Sequence, residues 1–196
     1  MRTTPSRTLQ ATVCAITLIG LTACGSDSDA PTSTSTSSSS AEPTYDDDYA
    51  FEAAQAIEPK RRAHDPNTKL SEDTPWATKD YIDLVNSNYT AMKKEGVVEK
   101  GTVKVNSTHL AKSDPDAPGG WDLTLYQCST STIRYFKGDK DITTDPKNDG
   151  APLPKGPRDN VHLLTFHTPD QGKTWQIDDV QLLTGKKAAE APCEQG

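Results

Sequence analysis

Two histidines, His109 and His162, are the side chains of this sequence best suited to acid–base chemistry. Each falls in a segment where apolar and polar residues alternate, which is the pattern of a β-strand. A histidine beside a carboxylate can abstract a proton from the carbon next to a carbonyl group. The sequence therefore offers both as candidate catalytic bases, and the carboxylates that could partner them are Asp122, Asp178 and Asp179.

The position of each histidine along its strand predicts the direction in which it points. In a strand without a bulge, His109 shares a face with Val103 and Val105, so we expect it to face the core. His162 shares a face with the apolar residues two and four positions after it, whereas His167 lies an odd number of residues away and faces the opposite side. These two histidines therefore cannot form a metal pair on one strand, and we expect neither a metal nor a cofactor.

Motifs that would identify a known catalytic class do not occur. The chain contains no GxSxG, HExxH, P-loop or GxGxxG in the required context. A calcium loop starting at Asp139 would need Gly at its sixth position and Glu at its twelfth, where Thr144 and Gly150 stand. A solvated loop is the preferred interpretation, and weak calcium binding with help from Asp149 is the alternative.

Composition excludes several classes of protein. The 196 residues are 33% hydrophobic and contain only one long apolar run, which excludes a multi-pass membrane protein. The net charge is −7, and loss of the first 23 residues with Arg2 and Arg7 would make it −9. We therefore expect no nucleic-acid partner, because a surface that binds phosphates needs an excess of positive charge.

The N-terminus has the three parts of a secretory signal: a basic start, an apolar stretch from Ala11 to Ala23, and small residues before Cys24. Residues 21–25, Leu-Thr-Ala-Cys-Gly, resemble the lipobox of bacterial lipoproteins. The resemblance implies that residues 1–23 are a signal peptide and that Cys24 carries a diacylglyceryl group. The protein is then predicted to be anchored by lipid to the extracytoplasmic face of the cell membrane. The alternative is a plain secretory signal with an incidental cysteine.

A Ser/Thr-rich tract follows the proposed anchor. Serine and threonine make up 12 of the 20 residues in 25–44, and such a tract cannot bury apolar surface. Residues 24–44 are therefore predicted to form a disordered tether. The long spacer and the lipobox together resemble lipoproteins of Gram-positive actinobacteria.

The remaining cysteines form an even pair. Cys14 would leave with the signal and Cys24 would carry lipid, so that Cys128 and Cys193 are left for a disulfide. In the chain-entropy model, a loop of about 65 residues stabilises a fold by roughly 4 kcal/mol. The alternative is one buried thiol and one loose thiol.

Helical spacing occurs twice before the strands begin. Acidic residues at 46–48 suit the start of a first helix, which Pro59 disturbs near its end. A second helix is predicted with Thr74 as its cap, Pro75 at its first position and an end near Gly96.

A period of two replaces the helical period after Gly96. Strands are predicted from 103, at 121–126, at 160–168 and at 175–183, with residues 137–158 as an exposed excursion. Helices followed by strands give an α+β fold, with N-terminal helices packed on an antiparallel sheet of about four strands.

This order of elements resembles the cone-shaped NTF2-like, or SnoaL-like, superfamily. The resemblance rests on Leu-Tyr-Gln-Cys at 125–128, Lys-Gly-Asp-Lys at 137–140, Val-His-Leu-Leu at 161–164 and Thr-Trp-Gln-Ile-Asp-Asp-Val at 174–180. It implies that residues 45–196 form one NTF2-like domain with a curved sheet, and that a disulfide holds its C-terminal tail. In small actinobacterial lipoproteins of this fold, a mid-sheet cysteine pairs with one in the tail.

Two functions are compatible with this fold. The first is a non-catalytic module of the cell envelope that binds a partner protein or an envelope ligand. The second is a SnoaL-like isomerase, cyclase or dehydratase in which His109 or His162 is the general base. The resemblance also implies that the outer face of the sheet can pair two copies. The space between helices and sheet is either an open pocket or filled by side chains such as Trp76, Trp121 and Phe166.

Overall fold

The computed structural model describes residues 45–146, 148 and 150–193. The predicted signal peptide, the lipidated Cys24, the tether of residues 24–44 and Asp149 lie outside the described residues. The described chain has an α+β fold in which a few helices pack against two antiparallel sheets. The predicted α+β class, with helices packed on antiparallel strands, is therefore confirmed.

Four helices and seven strands follow one another within the described residues. The helices are α1 (Asp47–Gln55), α2 (Glu58–Ala63), α3 (Lys79–Glu95) and α4 (Gly185–Ala189). The strands are β1 (Val97–Lys100), β2 (Val103–Asp114), β3 (Trp121–Ser131), β4 (Arg134–Lys137), β5 (Lys140–Asp141), β6 (Arg158–Thr168) and β7 (Gln176–Leu183). None of the helices within the described ranges is both long and apolar enough to cross a membrane.

The four long strands form one antiparallel sheet in the order β2-β3-β6-β7. These are the four strands that the sequence predicts. A second sheet, β1-β4-β5, was not predicted, because its strands have only two to four residues and no extended alternation. The excursion at 137–158 is also less exposed than predicted, since Thr143 and Leu153 are buried and their backbones are hydrogen-bonded.

The first two helices divide at Ala56 and Ile57. Asp46 caps α1 by accepting a hydrogen bond from the Tyr49 amide at 2.9 Å, and Asp47 and Asp48 occupy its first turn. The predicted acidic helix start is therefore present. Pro59 does not merely disturb the end of one helix but lies in the first turn of α2, where a proline is tolerated because that turn needs no amide donor.

The start of α3 differs from the prediction. Thr78, not Thr74, is the N-cap, and its side chain accepts from the Tyr81 amide at 3.2 Å. Residues 74–77 form a turn instead, and the helix starts after it because the Trp76 carbonyl and the Thr78 amide both bind the backbone of Ile177 in β7. The helix ends as predicted at Gly96, which has φ of 66°.

Strand register gives the four-stranded sheet two distinct faces. The inner face carries the apolar side chains that pack against the helices, including Leu123 and Leu125 of β3, Leu164 and Phe166 of β6 and Ile177 of β7. Ala50, Ala54 and Ile57 from the helical segment and Tyr81 and Ile82 of α3 belong to the same buried cluster. We call the opposite side the outer face.

A β-bulge in β2 reverses the predicted orientation of His109. Val105 pairs with Ser129 but Ser107 pairs with Cys128, so Asn106 is an extra residue. After the bulge, His109 pairs with Tyr126 on the outer face. The prediction that His109 faces the core with Val103 and Val105 is therefore wrong, because it required a strand without a bulge.

The predicted disulfide between Cys128 and Cys193 is present, with the two Cα atoms 5.6 Å apart. Cys128 lies on the outer face, in one cross-strand row with Val161 and Leu183. Ala191 of the tail is also buried, so the C-terminal tail covers this row. The covalent link spans 65 residues, for which the chain-entropy model gives roughly 4 kcal/mol of stabilisation.

Replacing Thr78 with Ala should lower the free energy of unfolding by about 1–2 kcal/mol. The variant loses the cap of α3 and also the hydrogen bond that Thr78 donates to Asp178 at 2.8 Å. Urea denaturation of the intact protein measures the loss. Thr74→Ala is the matched control: it loses only the exposed hydrogen bond from the Thr74 hydroxyl to the Ser71 carbonyl and should lower stability by about 0.5 kcal/mol. The reverse order of effects would contradict the observed helix start.

Candidate functional site

The inner face of the four-stranded sheet changes from apolar to polar along the strands. Leu125 and Leu164 form the last fully apolar row of β3 and β6. The next three rows pair Gln127 with His162, Ser129 with Asn160, and Ser131 with Arg158. We call these six residues the polar patch. Trp121 and Phe166 are buried in the apolar part, where side chains fill the space between helices and sheet.

Four atoms of the polar patch are buried without a hydrogen-bond partner in the described chain. They are Gln127 Nε2, Ser129 Oγ, His162 Nδ1 and Arg158 Nη1. Gln127 and Ser129 are each only 1% exposed. Burial of a polar atom without a partner costs about 1–3 kcal/mol, so four in adjacent rows mark an unusual place in a fold.

Helix α2 brings an ion pair to the polar patch. Arg61 donates from Nε at 2.7 Å and Nη2 at 2.6 Å to the two carboxylate oxygens of Glu58. The Glu58 side chain is 9% exposed and that of Arg61 is 21% exposed. Arg61 Nη2 also lies 3.5 Å from Gln127 Oε1, so α2 and the sheet meet through this arginine.

Burial and the charge of Glu58 shift the pKa of Arg61 in opposite directions. Burial disfavours the charged guanidinium, but the hydrogen bond and negative charge of Glu58 outweigh it and raise the pKa of Arg61. Burial also raises the pKa of the neighbouring Tyr81, against the effect of Arg61. The site therefore contains a charged arginine, a neutral phenol and one carboxylate.

His162 is held in its neutral form. Burial is the main cause and the positive charge of Arg61 is the second, and together they lower the pKa of His162 to about 4. The negative charge of Glu58 opposes this shift without reversing it. At neutral pH the imidazole is therefore uncharged and can either donate or accept one hydrogen bond at Nδ1.

The structure brings neither candidate base together with a carboxylate through a hydrogen bond. His162 is on the inner face as predicted, but its Nδ1 has no partner in the described chain. His109 is on the outer face, and its Nε2 lies 2.9 Å from Ser107 Oγ. The predicted pairing of either histidine with Asp122, Asp178 or Asp179 is therefore not found.

A histidine–carboxylate pair forms elsewhere, between His167 and Asp122. These residues face each other across β3 and β6 on the outer face, with Nδ1 and Oδ1 2.7 Å apart. The direction predicted for His167 is correct, but its pairing with Asp122 was not predicted. The signal that could have found the pair is the register of the two strands, which sequence alone does not supply.

The other candidate carboxylates have different contacts. Asp178 is the extra residue of a bulge in β7 and accepts the hydrogen bond from Thr78. Asp179 pairs with Thr165 on the outer face and is exposed. Neither lies on the inner face beside His162.

The loop proposed as a calcium site is joined to β4 by an ion pair. Asp141 accepts hydrogen bonds from the amide and hydroxyl of Thr143 and binds Arg134, which together lower the pKa of Asp141 to about 2. No group of three or more His, Cys, Asp or Glu side chains in the described ranges could hold a metal ion.

Open depressions lie at the far end of the sheet, near Tyr45 and Trp121. The larger has a volume of about 530 Å³ and is also lined by Pro115, Asp116 and Gln171. The acidic residues at 46–48 line the neighbouring depression. Neither depression is lined by a residue of the polar patch.

Acidification should destabilise the protein through His162. The pKa of His162 is about 4 in the folded protein and about 6.5 in the unfolded chain. Well above pH 6.5 the ring is neutral in both states, so His162 does not lower the free energy of unfolding. Between pH 6.5 and 4 only the unfolded chain gains the proton, so the free energy of unfolding should fall by up to about 3 kcal/mol.

Urea denaturation at pH 7 and pH 4.5 tests this linkage. His162→Gln should show a smaller loss of stability between the two pH values than the wild type. His109→Gln, on the outer face, is the matched control. It should lose as much stability between the two pH values as the wild type, because His162 is intact. If His162→Gln lost as much stability as the wild type between the two pH values, other groups would be the cause of the acid sensitivity.

Comparisons with known proteins show similarity to solved structures but not to a family. No protein-family model matches the chain, and no curated protein matches it. The chain is similar to the crystal structure of the intermembrane space region of the chloroplast protein ARC6, with 9% sequence identity and a TM-score of 0.45. The similarity covers 73% of this chain and 100% of that one. A similarity of this size identifies neither a family nor a function.

Proposed function

We propose that this protein is a lipid-anchored, extracytoplasmic module of the cell envelope that binds a small ligand without catalysing a reaction. The ligand site is the polar patch between α2 and the four-stranded sheet. The observation that carries the proposal is the set of four buried, unpaired polar atoms on adjacent rows of this patch. A polar ligand that reached them would satisfy hydrogen bonds that the described chain leaves unmade.

The proposed fold family is the NTF2-like, or SnoaL-like, superfamily. Support comes from helices that pack on one face of an antiparallel sheet and from the irregularities in β2 and between β6 and β7. Bulges increase the local twist and bend a strand, as a cone-shaped sheet requires. The disulfide from mid-sheet Cys128 to Cys193 in the tail is also the arrangement of small actinobacterial lipoproteins of this fold.

Binding is better supported than the SnoaL-like enzyme. A general base works best when its pKa lies near the operating pH, whereas the pKa of His162 is about 4. The hydrogen bond that would orient His162 towards a carboxylate is not made in the described chain. His109 lies on the outer face, away from the polar patch.

Binding at the polar patch can be tested by NMR on the isotope-labelled intact protein with a library of small polar organic compounds. Compounds that bind should shift the backbone amide signals of Gln127, Ser129 and His162. Gln127→Leu removes the amide but keeps a side chain of similar size, so it should weaken binding at least about tenfold.

Gln181→Leu is the matched control for this experiment. Gln181 is exposed and lies on the outer face of β7, so its replacement should leave binding unchanged. The proposal fails if the compounds shift only outer-face signals or those of the Tyr45–Trp121 depression. It also fails if no compound shifts the signals of the polar patch.

The proposed anchor has a separate test. Cys24→Ala removes the thiol that would carry the lipid, so the protein should leave the membrane fraction of the bacteria that express it. Cell fractionation followed by immunoblotting measures the distribution. Cys14→Ala, which alters the proposed signal peptide but spares the lipobox cysteine, should remain in the membrane fraction. Retention of Cys24→Ala in the membrane fraction would contradict the anchor.

Pairing of two copies through the sheet stays a prediction. The outer face carries a half-buried row that includes His109, Tyr126 and Leu163. The disulfide-bonded tail covers the neighbouring row with Cys128 and Leu183. A second copy would therefore have to pack beside the tail.

A further inference from the structure

We propose, on the basis of the binding function above, that the polar patch takes a small organic acid and binds it through the carboxylate group. The hydrogen-bond types of the unpaired atoms, the local balance of charge and the apolar residues beside the patch each indicate this class of ligand.

The unpaired atoms of the patch include hydrogen-bond donors that need acceptor atoms from a ligand. Gln127 Nε2 and Arg158 Nη1 can only donate hydrogen bonds, whereas Ser129 Oγ and His162 Nδ1 can donate or accept. The orientation of Gln127 is determined by Arg61, because a guanidinium only donates and so requires the amide oxygen to face it. Nε2 must then point elsewhere. A ligand that satisfies the patch therefore presents acceptor oxygens.

Three arginines of the patch and of α2 stand against two nearby carboxylates, Glu58 and Glu99. The charges of Glu99 and Arg158 both reach Tyr135. Glu58 is bound by Arg61 at 2.6 Å and lies 3.6 Å from Arg62. Arg158 donates from Nη2 to the Ile133 carbonyl at 2.8 Å and has no ion pair within the described residues. This local excess of positive charge contrasts with the net charge of −7 of the whole chain. It favours an anion, and a planar carboxylate matches the donor geometry of a guanidinium.

The ligand should also have a short apolar body. Leu182 pairs with His162 and shares the inner face, yet it is 38% exposed. The next row towards the core contains Leu164 and Val180. An aromatic or branched alkyl group next to the carboxylate would cover these side chains and exclude water from them.

Matched acids and amides test the assignment. Benzoate and isobutyrate are titrated at pH 7 into the labelled intact protein, beside benzamide and isobutyramide, and the signals of Gln127, Ser129 and His162 are followed. The members of each pair have nearly the same shape, so the difference reports the charge. Each acid should bind at least about tenfold more tightly than its amide. Inorganic phosphate should bind more weakly than benzoate, because it has no apolar body.

Two variants separate the donors from the overall charge. Gln127→Glu keeps the shape of the side chain but replaces the donor with a negative group, and it should weaken benzoate binding at least about tenfold. Arg158→Gln should have an effect of similar size. Lys155→Gln is the control, because Lys155 is an exposed cation three residues before Arg158 and its loss should leave binding unchanged.

The outcomes distinguish this proposal from the binding function on which it rests. Amides that bind at the patch as tightly as the acids would overturn the carboxylate assignment and leave the binding function standing. Phosphate that binds more tightly than benzoate would do the same. If no probe shifts the signals of the patch, both proposals fail. Equal losses in Gln127→Glu and Lys155→Gln would show a general charge effect and would also overturn the assignment.

Discussion

Coverage of one face of the four-stranded sheet by helices is the constraint on which the rest of this structure depends. Apolar side chains on that face are stabilised by leaving water, but every polar group placed there must find a partner. The rows around Leu125 and Phe166 are packed by apolar side chains, which need no hydrogen-bond partners. In the polar patch it is met only in part, because four buried atoms have no partner in the described chain. The inner face therefore combines a packed core with an unsatisfied surface.

The ion pair between Glu58 and Arg61 makes the covered polar surface tolerable. A buried charge without a partner is strongly destabilising, and each of these two residues supplies the partner of the other. The same arginine faces Gln127, and its charge adds to the effect of burial in lowering the pKa of His162. Helix α2 has only six residues, yet it supplies both members of the ion pair beside the patch. A short element can act on the patch in this way because the interactions are close and screened little by water.

Backbone irregularities decide which polar residues meet. One extra residue in β2 moves His109 to the outer face, and one in β7 turns Asp178 towards Thr78. Neither bulge contains a glycine or proline that would indicate it in the sequence, so the alternation of residues predicts a regular strand in both places. The contact between His167 and Asp122 follows from the register of β3 and β6, which is a property of the assembled sheet.

The sequence by itself determined the α+β class, the four long strands, the end of α3 at Gly96 and the pairing of Cys128 with Cys193. These features depend on local periodicity, on the turn preference of glycine and on an even count of cysteines. Only the tertiary structure decided the cap at Thr78, the second sheet, the face of His109 and the assembly of the polar patch. Each of these depends on contacts between residues far apart in the chain, and sequence spacing does not specify such contacts.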